Sequence, residues 1–149
     1  MGSISRVVLA LLIVAGVAIV LRDPAWVGGV TSGLRPWEED PAGTRFRWTA
    51  GRGSFFIPSD AAAVTLPLRA VFPGPGGAPV TVDVSVDDRF LATIALRDPN
   101  EWVRPRLPVA RATSRRYRRV DLRVNRVVPP FMLGVMVGEP QFERSIARR

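Results

Sequence analysis

Nine arginines, Arg104, Arg106, Arg111, Arg115, Arg116, Arg118, Arg119, Arg123 and Arg126, fall within 23 residues against one acid, Asp121. At their centre Arg115, Arg116, Tyr117, Arg118 and Arg119 set four planar cations around one ring. Guanidinium grips carboxylate and phosphate bidentately, and an aromatic among cations suits a base or a sugar. The run is therefore a candidate patch for an anionic partner: lipid headgroups, acidic polysaccharide or, least expected, nucleic acid. The competing reading is a strand whose arginines point outward, as Arg119, Asp121 and Arg123 would in alternation. A second candidate is Trp102, which shares parity with Arg104 and Arg106. A flat indole beside two donors makes a sugar platform, since C–H faces stack on the ring and guanidiniums bond hydroxyls. Packing at a sheet edge is the alternative there.

Catalysis has little to work with. The chain has no Cys and no His, which removes disulfides, thiolate nucleophiles and imidazole relays. Paired carboxylates could support glycoside hydrolysis, and Asp87, Asp88, Asp98 and Glu101 are the candidates. Each sits beside a turn, however, where Asp and Glu have conformational reasons to be. The acidic knot Glu38, Glu39, Asp40 before Pro41 reads as a solvated turn. Nothing has calcium-loop spacing, and Pro73 to Gly77 lacks the Lys and helix of a phosphate loop. No enzyme, catalytic residue, metal or cofactor is expected.

The chain has 149 residues, 47% of them hydrophobic, with net charge +8, enough for one domain. Outside the arginine-rich stretch twelve Arg face twelve acids, so the surplus belongs to that stretch. From Val7 to Leu21 the chain is unbroken apolar between Arg6 and Arg22, which predicts a helix. Residues 4–23 are read as a membrane anchor whose flanking arginines snorkel. A cleaved signal peptide and a buried core helix are the alternatives, and no small-residue cleavage site follows Leu21. The layout places the N-terminus inside and the domain on the periplasmic or extracytoplasmic side of a bacterial inner membrane. Residues 24–43, rich in Pro and Gly, read as a linker, and residues 141–149 as a basic tail.

Between them, residues 44–140 change to a period of two. Val80 to Asp87 alternates four Val with four polar residues, a half-buried strand. Further strands are expected at 45–49, 54–58, 64–72 with Pro67 as an edge or bulge, 89–96, 101–107, 117–126 and 131–138. Gly51-Arg52-Gly53, Pro73 to Gly77, Asp87-Asp88 and Asp98-Pro99-Asn100 are expected turns. About eight antiparallel strands imply an all-β sandwich or a barrel. The expected core includes Phe46, Trp48, Phe55, Ile57, Leu66, Leu68, Val82, Val84, Phe90, Ile94, Val120, Leu122, Val124, Leu133, Val135 and Val137.

The succession Phe46-Arg47-Trp48-Thr49, Phe56-Ile57-Pro58, the Val80 strand, Trp102, Arg119 to Val124 and Leu133-Gly134-Val135-Met136-Val137-Gly138-Glu139 resembles small galactose-binding-like, jelly-roll modules of bacterial envelope proteins. Such modules stand behind a membrane anchor or are attached to membrane glycosyltransferases. The resemblance covers residues 44–140 and implies a non-catalytic, glycan-related role in recognition or positioning. Where similar sequences place an Asp and an Arg before the Leu-Gly-Val strand, this one has Pro129-Pro130-Phe131-Met132, and no catalytic residue carries over. The alternatives are a structural subunit docking onto a larger membrane complex and an Arg-mediated binder of anionic lipid.

Overall fold

A computed structural model describes residues 3–21, 24–110 and 115–144 of the chain, with the side chains of the N-terminal helix described from 6 to 19. In chain order the elements are α1 Ser3–Leu21, a 3-10 turn Ala25–Gly29, β1 Thr31–Leu34, β2 Glu38–Glu39, β3 Arg45–Pro58, β4 Ala61–Thr65, β5 Leu68–Arg69, a 3-10 turn Pro75–Gly77, β6 Val80–Val86, β7 Arg89–Leu96, β8 Arg106–Pro108, β9 Tyr117–Val124, β10 Met136–Gly138 and β11 Gln141–Arg144. One sheet runs β5-β10-β3-β9-β6-β7, with β1 and β2 also paired to β3. A second, β11-β4-β8, completes a sandwich-like, antiparallel arrangement.

The period of two is realised in β6, where Val80, Val82, Val84 and Val86 are buried and Thr81, Asp83 and Ser85 face the other way. Beside it Val120, Leu122 and Val124 of β9 and Phe55 and Ile57 of β3 continue the same apolar face. These side chains meet Val64, Leu66, Leu68, Leu107, Val135 and Val137 in one core. Burying a large aliphatic side chain contributes about 1.5–3 kcal/mol, so this seam holds the sheets together. Thr49, fully buried, ties the centre: its Oγ1 accepts from the Val135 N–H at 2.9 Å, and the Gly134 N–H donates to its carbonyl at 2.8 Å.

Several expectations are corrected. Residues 45–58 form one strand, because Gly51 (φ 83°) bends β3 without ending it. Its first part pairs with β10 and β2, its second with β1 and β9. Pro67, which has no N–H to donate, divides 64–72 into β4 and β5. The supposed linker is pinned to the domain, since Thr31 of β1 pairs with Phe55 and Glu38 of β2 with Phe46. The start of the supposed tail is β11, paired with β4. Residues 101–105 are mostly not strand, and β10 begins only at Met136.

Two expected core residues lie elsewhere and a third lies at the core's margin. Phe90 is 66% exposed and Leu133 half-buried, while Ile94, also half-buried, packs against the core. Val84 pairs with Ala92 but Ser85 with Phe90, so Leu91 is an extra residue that reverses the side-chain alternation. Phe90 is thereby turned to the polar face.

Helix α1 forms as expected, and its side chains from residue 6 to 19 are exposed, which overturns a buried core helix. Among the described residues no helix is long and apolar enough to cross a membrane. The stretch from 6 to 19 amounts to about 21 Å of helix, against a hydrocarbon core of roughly 30 Å.

Candidate functional site

The outward side of β1-β3-β9-β6-β7 is polar because these strands spend their apolar residues inward. Pairing register lays the polar residues out in rows. Ser32, Ser54, Asp121, Ser85 and Phe90 form one row across the five strands, and Arg52, Arg123, Asp83 and Thr93 form the next. Above them is an open hollow of about 610 Å³ lined by most of these side chains, together with Asp88 and Arg119.

The hollow is partly wired by its own hydrogen bonds. Arg119 donates through Nε to Asp121 at 2.8 Å and through Nη2 to Asp88 at 2.7 Å. Its guanidinium is held above the ordinary arginine range by the Asp121 hydrogen bond and charge, then by Asp88. Thr93 donates to Asp83 at 2.6 Å. Each carboxylate of the hollow thus accepts from a neighbour, which fixes a lattice of acceptors, hydroxyls and guanidiniums around the exposed Phe90 ring. Such a surface can bind hydroxyl-rich molecules: polar groups orient the hydroxyls and the ring stacks on a C–H face.

The five residues of the expected anionic-partner patch separate. Arg118 is 8% exposed, its Nε donating to Asp87 at 2.7 Å and its Nη1 to the Ala110 carbonyl. Arg119 belongs to the hollow. Tyr117 turns toward the lead-in segment, donating from its hydroxyl to the Ala25 carbonyl at 3.2 Å. Arg115 and Arg116 are exposed and, among the described residues, in no ion pair. Arg111, in the same sequence run, lies outside the described residues.

Trp102, Arg104 and Arg106 lie on a mostly irregular segment rather than a regular strand. Trp102 is half-buried near Gly138, with the Arg69 guanidinium 5.9 Å from its ring centre. Arg106 is engaged by Glu143 through two hydrogen bonds of 2.7 and 2.6 Å, while Arg104 is exposed. Of the carboxylates considered for hydrolysis, Asp87 and Asp88 (φ 49° and 62°) form the β6–β7 turn, as left-handed Asp can. Asp98 and Glu101 close another, the Glu101 N–H donating to the Asp98 carbonyl. Among the described residues no group of three or more His, Cys, Asp or Glu could hold a metal ion.

A smaller hollow, about 200 Å³, opens beside Trp37, Phe56, Phe142 and Arg47. There the Arg47 and Arg45 guanidiniums stand 4.0 and 5.1 Å from the Trp37 ring centre. Burial, then the charge of Arg45, pushes the Arg47 pKa below its ordinary value.

Sequence reasoning missed Phe90, Arg52, Ser54, Asp83 and Ser85 as site residues. The polar alternation of β6 and β9 marks a wet face, but only the pairing register brings those strands side by side with β3.

No family model and no curated protein matches this chain. Among solved structures it is similar to a family 6 carbohydrate-binding module studied by sub-site dissection (13% identity, TM-score 0.48, 78% of this chain and 87% of that one). It is also similar to CsCBM6-3 from Clostridium stercorarium, solved in complex with cellobiose (12%, 0.44, again 78% and 87%). A third is a glycoside hydrolase family 43 arabinoxylan arabinofuranohydrolase from Bacillus subtilis, solved with cellotetraose (9%, 0.42, 78% of this chain and 24% of that one).

Proposed function

We propose that this chain is a non-catalytic recognition module of a galactose-binding-like type, which binds carbohydrate on the outward face of β1-β3-β9-β6-β7. The observation that carries the reading is Phe90, an exposed ring set by the bulge at Leu91 into a hollow otherwise made of Ser, Asp and Arg. Recognition rather than hydrolysis is supported by the carboxylates, each already engaged by Arg119 or Thr93. Titration calorimetry of the full chain against neutral and acidic envelope glycans tests this. Binding that Phe90→Ala abolishes is the expected result, and silence across both classes counts against it.

The module is held at a bacterial inner membrane by α1, with the domain on the outer side. The support is chemical: Val7, Leu9, Leu11, Leu12, Ile13, Val14 and Val17 are all more than half exposed, which suits hydrocarbon and not water. Sedimentation of the full chain with neutral phosphatidylcholine liposomes tests it, and a chain left in the supernatant refutes it.

A second reading, contact of Arg115 and Arg116 with anionic lipid, is favoured by the Tyr117–Ala25 hydrogen bond. Ala25 lies four residues beyond the last residue of α1, at most about 14 Å of extended chain.

A further inference from the structure

Arg52 of β3 and Arg123 of β9 are directly opposite each other in the antiparallel register, both are exposed, and both line the large hollow. Like charges placed opposite on neighbouring strands weaken a sheet. The third arginine of the hollow, Arg119, is neutralised by Asp121 and Asp88. Arg52 and Arg123 are in no ion pair among the described residues. Asp83 is the register neighbour of Arg123 on β6, yet its carboxylate accepts from Thr93 and is in no ion pair among the described residues. One corner of the hollow therefore holds two guanidiniums in no ion pair, with the Asp83 carboxylate on the next strand, and the other holds the Phe90 ring. Two strand spacings and one pleat repeat separate Phe90 from Arg123, roughly 12 Å, and three spacings with the same repeat separate it from Arg52, roughly 16 Å, lengths of about two to three sugar units.

We propose that the hollow selects an acidic oligosaccharide, receiving a uronate carboxylate between Arg52 and Arg123 while a neighbouring sugar ring stacks on Phe90. An outside carboxylate there removes the cross-strand repulsion and gains charge-assisted hydrogen bonds. A methylated carboxyl keeps its shape and loses that gain. The inference rests on the carbohydrate reading and specifies its ligand class.

The experiment is calorimetry of the full chain in nanodiscs of neutral lipid. The probes are trisaccharides of galacturonate, glucuronate and mannuronate, each as free acid and as full methyl ester, together with neutral xylotriose and cellotriose. At least one free acid should bind about tenfold more tightly than its ester, as a charge-assisted pair implies. Arg52→Gln and Arg123→Gln should each erase that advantage, weakening the free acid about tenfold more than its ester, and not lower the thermal midpoint, since they relieve a repulsion. Equal affinity for acid and ester, or an advantage that survives both variants, overturns the inference; neutral binding that Phe90→Ala abolishes would still leave the carbohydrate reading standing. No binding of any probe, acidic or neutral, removes both.

Discussion

Arg118 donates from Nε to Asp87 Oδ2 at 2.7 Å, joining the β6–β7 turn to the start of β9. The arginine is buried, and the other oxygen of Asp87 accepts from the Arg119 N–H at 3.0 Å. Loss of Arg118 would leave the one-third exposed Asp87 with the Arg119 N–H alone and the Ala110 carbonyl without its Arg118 donor. Arg118→Ser should therefore cost about 2–3 kcal/mol in chemical denaturation. Arg115→Ser and Arg116→Ser, both exposed, should each stay within about 0.5 kcal/mol. Equal stability of all three variants would mean that Arg118 does not hold the turn.

Thr49 and Gly134 form a close contact that carries a second prediction. A Cβ at Gly134 would lie 2.3 Å from Thr49 Oγ1 and 3.2 Å from its carbonyl oxygen. Gly134→Ala must then displace the hydroxyl that accepts from Val135. Thr49→Val leaves the Val135 N–H without that acceptor and should cost about 1–3 kcal/mol. Urea denaturation of the two variants checks this, and a neutral Thr49→Val would show the bond to be dispensable.

Arg106 and Glu143 predict an acid response at one edge. The Arg106 hydrogen bond, aided by its charge and opposed by desolvation, holds the Glu143 carboxyl below its ordinary value of 4.5. A folded pKa below the unfolded one gives a contribution fully present above that ordinary value, lost as pH falls through the depressed folded value. Amide protection along β11 should decline in that acid window in hydrogen exchange. In Arg106→Ala the Glu143 carbon resonance should titrate at higher pH than in the parent. An unchanged midpoint would contradict the pairing in solution.

The Tyr117–Ala25 bond places Tyr117, next in sequence to Arg116, at the first residue of the 3-10 turn that follows α1 in the chain. If Arg115 and Arg116 meet anionic lipid, a fluorophore on Asp60→Cys, adjacent in sequence to Ser59, whose N–H donates to the Arg116 carbonyl, reports it. The chain has no other cysteine. Quenching by headgroup-labelled lipid should rise when phosphatidylglycerol enters the nanodisc and fall in Arg115→Ser/Arg116→Ser or at high salt. Quenching indifferent to lipid charge would rule the contact out.

The β6–β7 hairpin is legible in the sequence because valine alternation and an Asp-Asp turn agree. Phe90 is not, since one extra residue at Leu91 reverses parity without any compositional mark. The burial of Arg118 has a readable signal, since it shares parity with Val120, Leu122 and Val124, all buried, though the density of charge around it masks that phase. Strands β1, β2 and β11 were illegible because backbone pairing to β3 and β4 makes them strands. The Arg-Trp-Thr and Leu-Gly-Val segments, distant in sequence, meet through Thr49, Gly134 and Val135. The site itself needs register, which relates Ser54 to Asp121 and Asp121 to Ser85.

Amide chemical-shift mapping of the isotope-labelled full chain in neutral nanodiscs, titrated with the acidic and neutral trisaccharides, tests carbohydrate recognition most directly. The account predicts saturable shifts centred on Ser54, Ser85, Phe90, Asp121 and Arg123, absent in Phe90→Ala. Shifts centred instead on Trp37 and Arg47 or on Trp102, or none with any sugar, would contradict it.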